Sequence, residues 1–334
     1  MQCVAESQGT CGRAGGCNGS GGCRLWPAGT TCVAGSCSDV TEISARTCDG
    51  LGSCQPPTGS RICAPYACSG ATCATSCNGT GGCASGYTCA GAVCTSPLSP
   101  NLVLFWRFEE ASGATASDSS GKGNHGVYIG DIGTPASSTV VPPLQYTNGL
   151  SRAFTMANRH AVTLNPMPAA IKPSNELTIA AWYRATEVDV SLGGSPYPLG
   201  SEVISGANAY TLRLRANASN MAVTKIELSK RTGNSNFSVV LGNAPNYLDG
   251  NWHHVAATMS KTSGLHLYFD GGEIGSSSNV ADIFYTQSAT GFFVGRHGDG
   301  QTQFDFGGNI DEVRVYDRAL AGAEIAALAA GKNN

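Results

Sequence analysis

The chain has 334 residues, a formal net charge of -3 and only 13% charged side chains, so it carries neither the basic footprint of a nucleic-acid binder nor a polybasic membrane signal. No apolar run approaches the roughly 18 to 20 residues that cross a bilayer as a helix. The length allows two domains, and all 15 cysteines fall between Cys3 and Cys94.

That first segment contains no lysine and no histidine and is rich in glycine, serine, threonine and alanine. Such a composition cannot bury much core, so it has to be held by covalent cross-links. Zinc modules favour short C-x2-4-C pairs, often with histidine. Here five, eight and four residues separate successive cysteines. The spacing predicts disulfides, and with them an oxidising compartment. Met1-Gln2-Cys3 offers neither the basic start nor the apolar core of a secretion signal. The expectation is a fragment, or a mature part, of a longer secreted protein.

Cys17, Cys23, Cys32 and Cys37 recur 31 residues later as Cys48, Cys54, Cys63 and Cys68. A fixed period marks modules that contact mainly their neighbours. A shortened copy runs from Cys77 to Cys83 and closes with Cys89 and Cys94. One four-cysteine module allows three connectivities, so only equivalent pairing in equivalent repeats is expected. Fifteen is odd, and Cys3 and Cys73, which lack periodic counterparts, are the candidates for the unpaired thiol. These repeats resemble the cysteine-rich arrays of large bacterial surface proteins, which implies a location more than an activity.

Residues 1–94 thus read as a disulfide-rich stalk and 95–101, with two prolines, as a stiff linker. From Leu102 to Asn334 strand patterns dominate. Apolar runs at Leu102 to Phe108 and Leu177 to Tyr183 suit strands buried between two sheets. Tyr210, Leu212 and Leu214 alternate with Thr211, Arg213 and Arg215, and Leu265, Leu267 and Phe269 alternate with His266, Tyr268 and Asp270. Phe237, Val239 and Leu241 form a further apolar set, expected to face the core. Asp270-Gly271-Gly272 predicts a tight turn into Glu273 to Ser277. In the last strand, period two places Asp311 with Val313 and Val315 and sets Ile310, Glu312, Arg314 and Tyr316 opposite. A helix is expected over Ala321 to Ala330. The fold class is all-β, a two-sheet antiparallel jelly-roll sandwich with a small, mostly irregular disulfide-rich region before it.

The segments beginning at Trp106 (WRFEEASGATASDSSGKGNHGVY), Leu177 (LTIAAWYRAT), Trp252 (WHHVAATMSKTSGLHLYFDGGEIGSS) and Phe292 (FFVGRHGDG, then GGNIDEVRVYDRAL) together resemble the bacterial laminin G-like, concanavalin A-like domain. The resemblance covers nearly all of 102–330. It implies two curved antiparallel sheets, frequent bound calcium, and binding of glycans or proteins outside the cell.

Calcium takes six to eight oxygen ligands at roughly 2.3 to 2.6 Å. The loop from Asp118 to Gly126 offers the Asp118 carboxylate, the Asn124 amide and turn carbonyls. The resemblance lays this loop against the final strand, where Asp311 would complete a structural site. The competing reading is an Asx turn at Asp118, with Asp311 hydrogen-bonded to amides of the same loop. For a glycan or protein ligand the candidates are Asn158, Arg159 and His160 on one loop, His297, Asp299 and Gln301 on another, and Tyr285 as a stacking surface. The competing reading for each is a solvated turn. Trp106, Trp182 and Trp252 are expected in the core or as caps, and the neighbours His253 and His254 face opposite ways, which excludes a joint metal site.

Glu187-Val-Asp189-Val-Ser191 resembles the E-x-D-x-E strand of retaining glucanases, but a retaining mechanism needs a second carboxyl roughly 5 to 5.5 Å from the nucleophile, and the acid/base position holds Ser191. No nucleophile elbow or HExxH is present. The sequence therefore predicts a non-enzyme: an extracellular binding or adhesion module at a cell surface, on a disulfide-stapled stalk, with no nucleic-acid partner, no membrane insertion and room for self-association. The alternative is a structural subunit of an extracellular fibre or sheath without a small ligand.

Overall fold

The computed structural model describes residues 2–38, 40–63, 65–79, 81–84, 87–95, 98, 100–190, 199–216, 225–286, 291–299 and 304–332. The chain divides into two compact units, 1–99 and 100–332.

The first unit consists of two- and three-stranded ribbons closed by seven disulfides. They join Cys3 to Cys23, Cys11 to Cys48, Cys32 to Cys54, Cys37 to Cys68, Cys63 to Cys73, Cys77 to Cys89 and Cys83 to Cys94. The free cysteine is the exposed Cys17, which corrects the assignment of Cys3 and Cys73 as unpaired. Equivalent pairing also fails. Cys32 bonds forward to Cys54, whereas its counterpart Cys63 bonds to Cys73. Cys73 has no equivalent in the preceding repeat, and its presence diverts Cys63. Cys37 instead bonds to its own counterpart Cys68, one full period of 31 residues away.

The second unit is the sandwich. In chain order its strands are β1 (Leu102–Trp106), β2 (Thr115–Ala116), β3 (Gly126–Ile129), β4 (Ala136–Ser138), β5 (Ser151–Phe154), β6 (Ala161–Leu164), β7 (Glu176–Arg184), β8 (Leu199–Gly206), β9 (Tyr210–Ala216), β10 (Lys225–Arg231), β11 (Phe237–Asn243), β12 (Trp252–Ser260), β13 (Gly264–Phe269), β14 (Gly272–Ser277), β15 (Phe292–Val294) and β16 (Gly308–Tyr316), followed by helix α1 (Gly322–Ala329). One antiparallel sheet runs β4-β5-β16-β7-β12-β13-β14, with β1 also on β16; the other runs β2-β3-β6-β15-β8-β9-β10-β11. Leu104, Trp106, Ile179, Tyr183, Leu212, Leu214, Ile226, Leu228, Val255, Leu265 and Val294 fill one core between them.

Two sequence expectations about which way side chains face are corrected here. On β11 the core residue is Val240, paired with Leu228 of β10. Phe237, Val239 and Leu241 face outward, 47%, 48% and 43% exposed. On β16 the alternation is broken by a bulge: Ala180 of β7 pairs with Arg314, and Trp182 pairs with Asp311. Glu312 takes up the extra residue with a positive φ of 55°, as bulged residues do. Ile310 therefore joins Val313 and Val315 in the core, and Asp311, fully buried, stands beside Trp182. Among the described residues no helix is long and apolar enough to cross a membrane.

Candidate functional site

Alternation along three strands builds a concavity on one face of the sandwich. With Leu212, Leu214, Ile226 and Leu228 turned inward, period two turns Thr211, Arg213 and Arg215 of β9 and Glu227, Ser229 and Arg231 of β10 to the opposite face. Register sets Glu227 beside Arg213, Ser229 beside Thr211, and Arg231 beside Phe237. On β8 a bulge between Glu202 and Ile204 keeps Glu202 opposite Arg213 and Ser205 opposite Thr211. The result is a groove of about 560 Å³ with Phe237 and Val239 as one wall and His297 and Phe304 at the other end, a volume typical of ligand sites at roughly 300 to 1,000 Å³.

Its floor is a charge network. Arg213 Nη2 lies 2.5 Å from Glu202 Oε1 and Nη1 3.6 Å from Glu227, and Arg215 Nη1 lies 2.9 Å from Glu227. His297 Nδ1 is 2.8 Å from the same Glu202 oxygen, and Phe304 covers the Arg213 guanidinium at 3.9 Å. Burial by itself drives the Glu202 carboxyl up and the His297 imidazole down. The facing charges outweigh it, holding Glu202 below the usual carboxylate value and His297 above the usual imidazole value. Glu202 Oε2, Ser205 Oγ and Thr211 Oγ1 are buried without a hydrogen-bond partner among the described residues. Of these residues, Thr211 alone lines the groove.

Of the ligand candidates from sequence, His297 lines this groove and Asp299 lies 3.6 Å from it. Gln301 lies outside the described residues. The other loop stays apart. Asn158 O accepts from Asp131 N, Arg159 pairs with Asp131 at 3.3 Å, and buried His160 reaches Ile132 O through Nε2 and the Thr155 turn through Nδ1. These groups lock turns. Tyr285 offers no free face for a sugar: its ring packs edge-on against Tyr210 and under Lys172, and its hydroxyl donates to Pro173 O. The groove residues that sequence reading missed, Thr211, Arg213, Arg215 and Glu227, carried a signal as the polar half of an alternation, with opposite charges on adjacent strands.

Asp118, Asn124 and Asp311, the residues expected to hold calcium, each have partners inside the fold. Asp118 accepts from Phe105 N, Ser120 N, Ser120 Oγ and Asn124 N, all between 2.7 and 2.9 Å. Burial raises its carboxyl, but those donors more than offset it and hold it below the usual value. Asn124 Nδ2 donates to Val103 O, and its backbone carbonyl accepts from Trp106 Nε1. Both Asp118 carboxylate oxygens are occupied, as the Asx-turn reading requires. Asp311 has other partners: Asn148 Nδ2 donates to Oδ2 at 2.8 Å and Glu312 N to Oδ1 at 2.9 Å. Burial, reinforced by the Glu312 and Glu109 carboxylates, drives Asp311 well above the usual carboxylate value. Asn148 Oδ1 is buried without a partner, and Glu109 accepts from Gly149 N next to it.

His253 and His254 have separate surroundings, the first between Asp249 and Asp270, the second buried against Trp182. Glu187 and Asp189 lie in an irregular segment, with Asp189 accepting from Asp305 N, and Ser191 lies outside the described residues. No carboxylate-lined strand forms at 187–190.

A family model described as "Concanavalin A-like lectin/glucanases superfamily" matches residues 157–326. Among solved structures, the binding domain of Paraclostridial Mosquitocidal Protein 1 is similar in fold, with a TM-score of 0.51 and 15% identity over 70% of this chain and 52% of that one. Domain 4 of AbnA, an extracellular arabinanase from Geobacillus stearothermophilus, solved with arabinotriose, gives a TM-score of 0.48 and 19% identity over 69% of this chain and 98% of that one. The chain thus spans about half of the first structure it matches. No curated protein sequence matches it.

Proposed function

Because the chain belongs to the concanavalin A-like lectin/glucanase superfamily, we propose that its sandwich is a glycan-binding module of an extracellular protein, with the ligand held in the β8–β11 groove. The observation that carries this reading is the orphaned Thr211 Oγ1 in the groove lining, beside the exposed Phe237 and Val239. Sugars offer the matching chemistry: hydroxyls for unpaired polar groups and C–H faces for an aromatic or aliphatic wall. The seven disulfides agree with an oxidising, extracellular setting. Binding does not draw on the remnants of a hydrolase motif, since Glu187 and Asp189 are not on the groove. The test is a glycan array read with the full chain and with Phe237→Ala. Retention of at least one glycan by the native chain, lost in the variant, supports the reading; no retention by either refutes it.

Calcium enters the same reading as a structural ion with a revised ligand set: Asp311, Glu109 and the Asn148 amide oxygen. When bound, it would neutralise the adjacent acidic groups and tie the 142–149 segment to β16. Calcium should raise the melting temperature of the native chain and leave Asp311→Asn unmoved.

A further inference from the structure

The charges of the groove do not cancel where it meets the start of β11. Among the residues that line it are three arginines, Arg213, Arg215 and Arg231, and one carboxylate, Glu227. Arg215 pairs with Glu227, and Arg213 is shared between Glu227 and Glu202. Arg231, paired in register with Phe237 and only 8% exposed, has neither carboxylate. Its Nε donates to Asn208 O at 2.9 Å and its Nη1 to Asn234 O. Both acceptors are neutral carbonyls, so the charge is uncompensated, and Nη2 has no acceptor among the described residues. A buried cation without a counter-charge is costly.

Strand register brings hydroxyls to this same end. Ser229 lies two residues before Arg231 on β10 and so shares its face. Thr211 of β9 pairs with Ser229. Thr211 is 4% exposed, and its Oγ1 is without a hydrogen-bond partner. Phe237 lies against the guanidinium, 4.3 Å from ring centre to its carbon. Guanidinium hydrogens lie in the plane of the group, so that contact does not occupy them. A water molecule would satisfy the Thr211 hydroxyl but leave the charge uncompensated, and a sugar hydroxyl would do no more. An oxyanion answers both, because it accepts from Nη2–H and Oγ1–H and supplies the missing charge. We infer that the Arg231 end of the groove is an oxyanion-binding subsite, where a carboxylate, sulfate or phosphate group is held by Arg231 Nη2 and the hydroxyls of Thr211 and Ser229. The subsite goes beyond the glycan reading: it specifies one charged group and does not depend on the molecule that carries it.

The experiment follows the melting temperature of the full chain against rising sodium sulfate, sodium phosphate and sodium acetate, each balanced with sodium chloride to constant ionic strength. A specific site gives a shift that saturates as ligand fills it, whereas general salting effects rise steadily. At least one of the three anions should give a saturating shift in the native protein, and the tightest of them names the group. Arg231→Met should abolish that shift. Thr211→Val has no partner inside the fold to lose, so it should keep the fold and weaken the anion about ten-fold. Arg159→Met, on the separate loop, should leave the shift unchanged. No saturating shift with any anion, or one that survives in both Arg231→Met and Thr211→Val, would overturn the subsite. Because the probes are inorganic ions and acetate, that outcome would leave a positive glycan array standing, and an empty array would leave the subsite standing.

Discussion

Ile310 and Val313 lie on the same side of β16 although three positions separate them, because Glu312 between them adopts a left-handed backbone and absorbs one residue. Period two would have set them on opposite faces. The bulge turns Asp311 away from the face of Val313 and Val315 while leaving it buried, and it delivers Glu312 to Arg314, 2.6 Å away, to the hydroxyl of Tyr146 and to Arg107 at 3.4 Å.

Glu312→Ala should therefore be strongly destabilising. It leaves Arg314 buried without its carboxylate, a loss of about 3 to 5 kcal/mol. Glu312→Gly removes the same partner but suits the positive φ, so it should be roughly 1 kcal/mol less damaging than Ala. Urea unfolding of the two variants checks both the size and the order. Equal losses would show that the backbone conformation is not part of the effect.

Two buried histidines should respond to pH with opposite signs. Burial, with Arg314 adding to it, pushes His254 down to about 3 from the ordinary 6.5. Its favourable contribution is present above 6.5 and is lost as the pH falls toward 3, because the unfolded chain takes up the proton first. His297 is held above 6.5 by Glu202 and Asp299 in spite of burial. Its contribution is present below 6.5 and is lost as the pH rises through its elevated value. Denaturation at fixed ionic strength should show a shallower acid limb in His254→Gln and a shallower limb above 6.5 in His297→Gln.

Thr211→Val should separate binding from stability. The Oγ1 atom has no partner to lose, so replacing it with a methyl group should leave stability unchanged or raise it by up to about 1 kcal/mol. Glycan affinity should drop. A destabilised variant would mean that the hydroxyl has a partner inside the fold.

The sandwich was readable in the chain because its strongest strands carry long apolar or alternating runs. Leu177 to Tyr183 and Leu212 with Leu214 behave as their patterns require. What period-two reading could not supply was phase. A bulge at Glu312 leaves no mark in composition, and Phe237, Val239 and Leu241 look like a core set until Leu228 pairs with Val240 and turns them out. The site suffered more, since its residues come from strands remote in sequence. Rim loops drew attention through their polarity, and among the described residues His297 alone of those candidates lines the groove, with Asp299 3.6 Å from its imidazole. Asp311 is the buried acid that the sequence pattern pointed to, but its neighbours Asn148 and Glu109 depend on a loop path that no spacing rule specifies.

Thiol chemistry offers a sharp check on the first unit. With seven cystines formed, one label per chain is expected from a thiol reagent under denaturing, non-reducing conditions, located on Cys17. Cys17 Sγ lies 4.0 Å from Cys3 Sγ, close enough for exchange once the thiolate forms. Labelling at low pH therefore gives the cleaner result. A label found mainly on Cys3 or Cys73 would contradict the pairing.

The spans of the first five cystines overlap without a gap: 3 to 23, 11 to 48, 32 to 54, 37 to 68 and 63 to 73. A single protease cut anywhere between Cys3 and Cys73 is bridged by at least one of them, so the two pieces stay attached. Between Cys73 and Cys77 no cystine crosses the backbone, and the next pair begins afresh. The three residues Ala74 to Ser76 are thus the sole place within this region where one scission sheds everything upstream. A chain exposed to hostile proteases would tolerate nicks over most of its first seventy residues and release them as a unit only there.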